Sequence, residues 1–179
     1  GISKVKQLLE ADTVGRVYSI RVEFGYDLKR WRPGMDYRDN FAVKKDQGGG
    51  IILDCIHELD YLSWLIGNPP QKSFSLAKIV GDLETETEDM CVAISEFPNG
   101  VLGEIHVDYL QASYTRRCRV IGARGIIEWD LSKPLKFYLQ ETNEWTVCSE
   151  QAEFDINEMY LKEIQYFLDC KHQRKQPFN

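Results

Sequence analysis

The sequence lacks the features that define several large functional classes. Its five cysteines (Cys55, Cys91, Cys118, Cys148 and Cys170) stand singly, with no C-x-x-C pair. That spacing argues against a zinc site or a disulfide framework, and the thiols read as reduced groups filling small apolar positions in a cytoplasmic protein. No apolar run approaches the ~20 residues of a membrane-spanning helix, and no signal-peptide pattern opens the chain. Cationic excess is also missing: 22 Lys and Arg stand against 28 Asp and Glu, a formal charge of −6. A nucleic-acid or polybasic membrane surface would need clustered positive charge, so the expected partner is a small molecule or another copy of the chain. Finally, no strand-like run leads through G-x-G-x-x-G into a helix, so these residues carry no dinucleotide fingerprint.

What is present suits one packed domain. The 179 residues are 43% hydrophobic and 12% aromatic, enough to bury a core at this length. Ile2, Val5, Leu8 and Leu9 recur at helical spacing, and a chain that begins inside a helix is expected to belong to something longer. Val17–Phe24 alternates, with Tyr18, Ile20, Val22 and Phe24 on one side, and predicts a half-buried strand. Residues 25–47 lose all periodicity but carry Tyr26, Trp31, Arg32, Tyr37 and Arg38, and a loop of that length is often functional. A helix from Gly50 to about Ile66 follows. Period-two segments then predict strands over 73–80, 89–97, 101–110, 116–121, 125–130, 135–139 and 145–148. Turns at Pro98-Asn99-Gly100 and Ala123-Arg124-Gly125 are expected to use residues that tolerate positive φ. A closing amphipathic helix over about 156–170 carries Met159, Ile164, Phe167 and Leu168. Short hairpins force antiparallel neighbours, so the pattern predicts an α+β fold: an open, mostly antiparallel sheet with helices on one face.

The segment with most chemical content is Gly48-Gly49-Gly50-Ile51-Ile52-Leu53-Asp54-Cys55-Ile56-His57-Glu58-Leu59-Asp60-Tyr61. On one continuous helix, Ile52, Ile56, Leu59 and Ile66 share an apolar stripe, and Asp54, His57, Glu58 and Tyr61 fall opposite. Asp54 and His57 are three residues apart, near enough to hydrogen-bond. A carboxylate beside an imidazole fixes its tautomer and suits it to acid/base work near neutral pH. Arg32 and Arg38 could clamp an anionic group, while Tyr26, Trp31 and Tyr37 could stack on a sugar ring. Arg116 and Arg117 are weaker candidates, and His106, flanked by Glu104 and Asp108, reads as a sheet-face hydrogen-bonding group.

The run from Gly48 to Asp60 resembles the G-G-G-x-x-x-D-x-x-H-x-x-D helix start of the glucose–fructose oxidoreductase/inositol dehydrogenase (Gfo/Idh/MocA) family. The Val14-Gly15-Arg16-Val17 entry, the Trp31–Arg38 loop and Ile121–Trp129 are similar to it as well. The resemblance covers essentially the whole chain and implies the substrate-binding and oligomerisation domain (residues 1–179) of a two-domain enzyme whose N-terminal Rossmann domain is missing here. It implies an NAD(P)-dependent transfer of hydride between nicotinamide and a secondary alcohol or ketone of a sugar, cyclitol or sugar derivative. NAD or NADP would be bound mainly by the missing domain, and these 179 residues would bind neither tightly by themselves. The resemblance makes His57 the acid/base and Asp54 its supporting carboxylate. The Asp–His spacing is three here, against four in many members, and the family's E-K-P lysine has no counterpart in these residues. The substrate-binding set is expected to be Tyr26, Trp31, Arg32, Tyr37 and Arg38. A homo-oligomer through the open sheet face, expected to carry Tyr109 and Trp129, completes the expectation. The competing reading is a non-catalytic binding or oligomerisation module of the same fold.

Overall fold

The structure, a computed structural model, describes residues 1–148 and 156–174; the side chains of Ile156, Glu158 and Met159 lie outside the described set, so the expected apolar role of Met159 does too. Helix α1 (Ile2–Glu10) leads into strand β1 (Val17–Gly25). Four short 3-10 turns then occupy the stretch between Leu28 and Gln47 that had no periodicity. Helices α2 (Ile51–Asp54) and α3 (Ile56–Ile66) come next. Strands β2 (Lys72–Lys78), β3 (Met90–Glu96), β4 (Leu102–Asp108), β5 (Thr115–Gly122), β6 (Gly125–Asp130), β7 (Lys133–Leu139) and β8 (Glu144–Val147) follow, and α4 (Ile156–Gln173) closes the described chain.

The strands form one eight-stranded sheet in the order β2-β3-β4-β1-β5-β6-β7-β8. Every neighbouring pair is antiparallel except β1 with β4. The two meanders β2-β3-β4 and β5-β6-β7-β8 follow from local turns. The early strand β1 slots between them as the centre of the sheet, and that placement needs long-range contacts no local pattern encodes.

Helix α1 lies against α3 and β6, and α2 and α3 lie over β1, β3 and β4, so these helices share one face. Between them and the sheet sits a core that includes Val5, Ile20, Val22, Leu62, Val107, Val120 and Ile127. Lys6 on α1 donates to the Trp64 carbonyl at 2.9 Å, satisfying an orphan acceptor at the end of α3. Helix α4 buries only Cys170 among its described side chains.

Three expectations are corrected. The helix after the glycines is not continuous, because Cys55 (φ −108°, ψ 26°) leaves helical geometry and separates α2 from α3. The break resets the rotational phase, so the buried stripe of α3 is Glu58, Tyr61, Leu62 and Leu65, while Ile56 is exposed and Ile52 and Leu59 only partly buried. Second, Tyr109 and Trp129 do not line the open sheet face; both are core residues, 1% and 7% exposed. Tyr109 follows Ile105 and Val107 at period two on the core side of the chain, and Trp129 packs against the start of α1. Third, the β5–β6 turn forms without positive φ at Gly125. Glycine is needed there for a different reason: an added Cβ would run into the Tyr138 carbonyl oxygen on β7.

Candidate active site

The site grows from the end of β1 and the break between α2 and α3. Gly50 (φ 111°) turns the chain sharply into α2. The Glu88 carboxylate accepts from the Ile52 amide at 3.2 Å, covering one of the unpaired donors at that helix start. Asp54 ends α2 and His57 sits in the first turn of α3, so the kink at Cys55 presents both toward β1 and the chain just after β4.

Asp54 and His57 do not hydrogen-bond each other, contrary to the three-residue expectation, because the break rotates them onto different partners. Asp54 accepts from the Tyr109 hydroxyl at 3.0 Å. Burial raises its pKa above the ordinary carboxylate value, opposed by that hydrogen bond and by the nearby charges of His57 and Arg32. The Tyr109 phenol is pushed up in turn, first by burial and then by Asp54. His57 keeps one side exposed (49%) and directs Nε2 at the Glu58 carboxylate, 3.1 Å away. Cys55, between them in sequence, is fully buried, and burial raises its thiol well above the usual range, which makes it a packing group rather than a nucleophile.

An aromatic wall surrounds this pair. Phe24 meets Trp31, His57 and Tyr114 edge-on, with ring centroids 5.8, 6.2 and 5.8 Å apart. Trp31 meets Tyr109 at 5.2 Å and Tyr26 meets Tyr114 at 5.6 Å, also edge-on. The Trp31 indole N–H donates to the Tyr26 carbonyl at 3.2 Å, fixing the ring. Such edge-to-face contacts hold rings in defined orientations. The arrangement is an aromatic cluster beside a carboxylate and a half-exposed imidazole, with the exposed Arg32 guanidinium near enough for its charge to act on Asp54.

Of the substrate-binding residues expected from sequence, Tyr26, Trp31 and Arg32 therefore lie around Asp54 and His57. Tyr37 and Arg38 are engaged elsewhere. The Tyr37 hydroxyl accepts from the Glu84 amide, and Arg38 pairs with Asp36 at 2.6 Å and Glu84 at 3.3 Å. Hydrogen bonds from Arg38 hold the Asp36 carboxyl down at about 2. A depressed carboxylate pKa favours the folded loop above the ordinary Asp value, and that preference is lost as pH falls through about 2. An NMR titration should find Asp36 at about 2, and Arg38→Ala should return it to the ordinary carboxylate range.

Sequence reasoning missed three residues here, Tyr109, Tyr114 and Glu58, and ranked a fourth, Arg116, only as a weaker candidate. Tyr109 was legible from the period-two continuation of β4, whereas Tyr114 lies in an aperiodic connection. Glu58 and Arg116 are paired across the core, Oε1 to Nη2 at 2.7 Å, by a contact 58 residues long that no local pattern announces. The acidic run Glu84–Glu88 is anchored at three points. Glu84 holds Arg38, Glu86 accepts from the Lys45 amide and Glu88 caps α2, so this run ties the site loop and the helix start to the sheet. His106 behaves as expected, contacting Asp108 at 3.0 Å. Among the described residues no group of His, Cys, Asp and Glu is arranged to hold a metal ion, and no helix is long and apolar enough to cross a membrane.

The architecture is an α+β one: an open, mostly antiparallel eight-stranded sheet carrying helices on one face, with an Asp and a His at a helix break. The GFO/IDH/MocA C-terminal domain family matches residues 2–128, and the chain belongs to that family. Levoglucosan dehydrogenase, solved with NADH and levoglucosan, superposes with a TM-score of 0.79 at 15% identity, over 96% of this chain and 53% of that one. An oxidoreductase domain protein from Kribbella flavida gives 0.78 at 14% identity, over 98% and 56%. An inositol dehydrogenase homolog from Azotobacter vinelandii, complexed with NAD+, gives 0.71 at 16% identity, over 86% and 41%. The chain thus spans about half the length of each. A search of curated proteins returned no significant sequence match.

Proposed function

We propose that this chain is the substrate-binding half of an NAD(P)-dependent oxidoreductase acting on a secondary alcohol or ketone of a sugar, cyclitol or sugar derivative. The observation that carries the reading is the position of His57: half-exposed, beside Asp54, at the open edge of an aromatic wall. Aromatic rings offer apolar faces to the C–H side of a pyranose or cyclitol, and Asp54 and Arg32 offer hydrogen-bonding groups to its hydroxyls. His57 takes the proton from the hydroxyl being oxidised, or returns it during reduction. NAD or NADP, when bound, supplies the hydride acceptor or donor. No strand–glycine loop–helix unit occurs among the described residues, so the dinucleotide phosphates are assigned to the other half of the intact protein. Family membership, and relatives named as levoglucosan and inositol dehydrogenases, support the class of reaction and of substrate. The alternative of a purely structural module is disfavoured because pairing alone requires neither the raised carboxyl of Asp54 nor a half-exposed imidazole beside it. In the intact protein, nicotinamide reduction followed across a panel of polyols tests the reading. Turnover is expected with at least one cyclic polyol, and no turnover with any would count against it.

The uncovered sheet face supports a second part of the proposal, a homo-oligomer. Phe74, Ile94, Glu104, Arg21, Arg119, Glu128, Lys136 and Val147 sit directly across from one another in a single row over all eight strands. The middle of the row is charged and internally paired, Arg21 to Glu104 at 2.6 Å and Glu128 to Lys136 at 3.2 Å. Its β2–β3 end is apolar and exposed, Phe74 by 77% and Ile94 by 53%. Mixed charge of both signs with an apolar margin is self-complementary across a two-fold axis. Sedimentation of the intact protein should show an oligomer that Phe74→Glu with Ile94→Glu weakens at least tenfold, and an unchanged assembly would contradict this placement.

A further inference from the structure

Resting on that acid/base reading of His57, we propose that Glu58, backed by Arg116, is the positioning residue that orients the His57 imidazole, and that the proton is exchanged at Nδ1. The resemblance assigned this supporting role to Asp54, but Asp54 is committed to Tyr109, 3.0 Å away. Glu58 is fully buried, an uncommon place for a carboxylate unless it is paired. Its Oε1 lies 2.7 Å from Arg116 Nη2 and 3.1 Å from His57 Nε2. Yet neither of these contacts is a well-aligned hydrogen bond, the Tyr61 hydroxyl lies near enough for Glu58 to raise its pKa after burial does, and the buried Arg116 Nε has no hydrogen-bond partner. A buried carboxylate left in that state is costly for a group with only a packing role. It is suited to a group whose partners tighten when substrate arrives, since site hydrogen bonds are often loose before the complex forms.

The geometry divides the work of the ring. Nε2 is the ring nitrogen beside the buried anion, so the neutral ring's proton is assigned to Nε2, where that 3.1 Å contact can close into a hydrogen bond, and the free lone pair to Nδ1. During alcohol oxidation the substrate O–H bond would break as an Nδ1–H bond forms, and a bound oxidised nicotinamide would supply the acceptor for the carbinol carbon's hydride. The imidazolium that results faces the Glu58 carboxylate, and Arg116 holds that carboxylate in place from the other side. Asp54 and Arg32 remain on the substrate side of the ring.

Nitrogen-15 NMR of His57 in the intact protein reads the arrangement without any variant. The Nε2–H tautomer is expected to dominate, and a dominant Nδ1–H tautomer would overturn the proposal. In Glu58→Gln, checked for retained melting temperature and cofactor affinity, the tautomer preference should collapse toward a mixture. The same variant should lose about 10- to 100-fold in kcat, by analogy with the carboxylate partners that orient metal-bound histidines, with KM changed less than about threefold. Unaltered ring signals and unaltered kcat in Glu58→Gln would overturn it. These outcomes separate from those of the underlying reading: if His57→Asn is inactive but the tautomer is wrong, only the Glu58 assignment falls. If His57→Asn turns over normally, the acid/base role itself falls, and the Glu58 role with it.

Discussion

Replacing His57 by Asn in the intact enzyme is expected to lower kcat by about 10²–10⁴-fold, the usual worth of a positioned acid/base, with a much smaller effect on KM. Asparagine keeps a polar group of similar shape against Phe24 but cannot accept and return a proton. His57 is half-exposed and packed on one side, so the change should leave the fold intact and the loss should sit in the chemical step. Asp54→Asn should cost less, because an amide still accepts from Tyr109. Burial raises the pKa of Asp54 in the folded state, so its ionised form opposes folding. The stability it allows is present below the ordinary carboxylate range and declines as pH rises through the raised value. Asp54→Asn should therefore be no less stable than the parent near neutral pH while being slower, a separation of stability from rate that marks a residue kept for function. Steady-state kinetics with thermal melts at neutral pH would check both, and a His57→Asn enzyme running at the parental rate would rule out the assignment.

The largest expected effect on stability falls at Gly50. Its backbone (φ 111°, ψ 146°) lies where only glycine is at ease, and an added Cβ would come within 2.8 Å of the Glu88 carboxylate carbon. That carboxylate also covers the Ile52 amide, so moving it uncovers the start of α2. Backbone strain and crowding together should make Gly50→Ala about 3 kcal/mol less stable, lowering Tm by roughly 6–12 °C at this size. Gly48→Ala is the control: Gly48 also has positive φ (75°), but nothing lies within 4 Å of the position its Cβ would take, so only about 1 kcal/mol is expected. Equal melting temperatures for Gly50→Ala and the parent would mean that the glycines do not build the helix start. Because Asp54 follows one helical turn later, surviving Gly50→Ala enzyme should also show a raised KM.

Much of the fold could be read from the chain because strands and hairpins are local. Alternation located all eight strands within a few residues, and Asn99-Gly100 marked a turn that does use positive φ at both residues. The insertion of β1 beside β4 escaped because its pairings join residues more than eighty apart, Ser19 with Leu102 through Gly25 with Asp108. The glycine–Asp–His run was visible as a motif, and Tyr26, Trp31 and Arg32 stood out as candidates because a long aperiodic loop rich in aromatics is unusual. A direct hydrogen bond between Asp54 and His57 does not form for one physical reason: a helical wheel assumes unbroken phase, and Cys55 breaks it. The same assumption hid Glu58, placed on the polar side opposite the apolar stripe when it is fully buried.

A crystal structure of the intact enzyme with oxidised nicotinamide and a non-reacting polyol would test the central claim most directly. The account predicts the polyol seated against Trp31 and Tyr114, with the hydroxyl to be oxidised within hydrogen-bonding distance, about 3 Å, of His57 Nδ1 and its carbon facing the nicotinamide ring. A polyol bound elsewhere, with His57 turned to bulk water and no cofactor ring beside it, would contradict it.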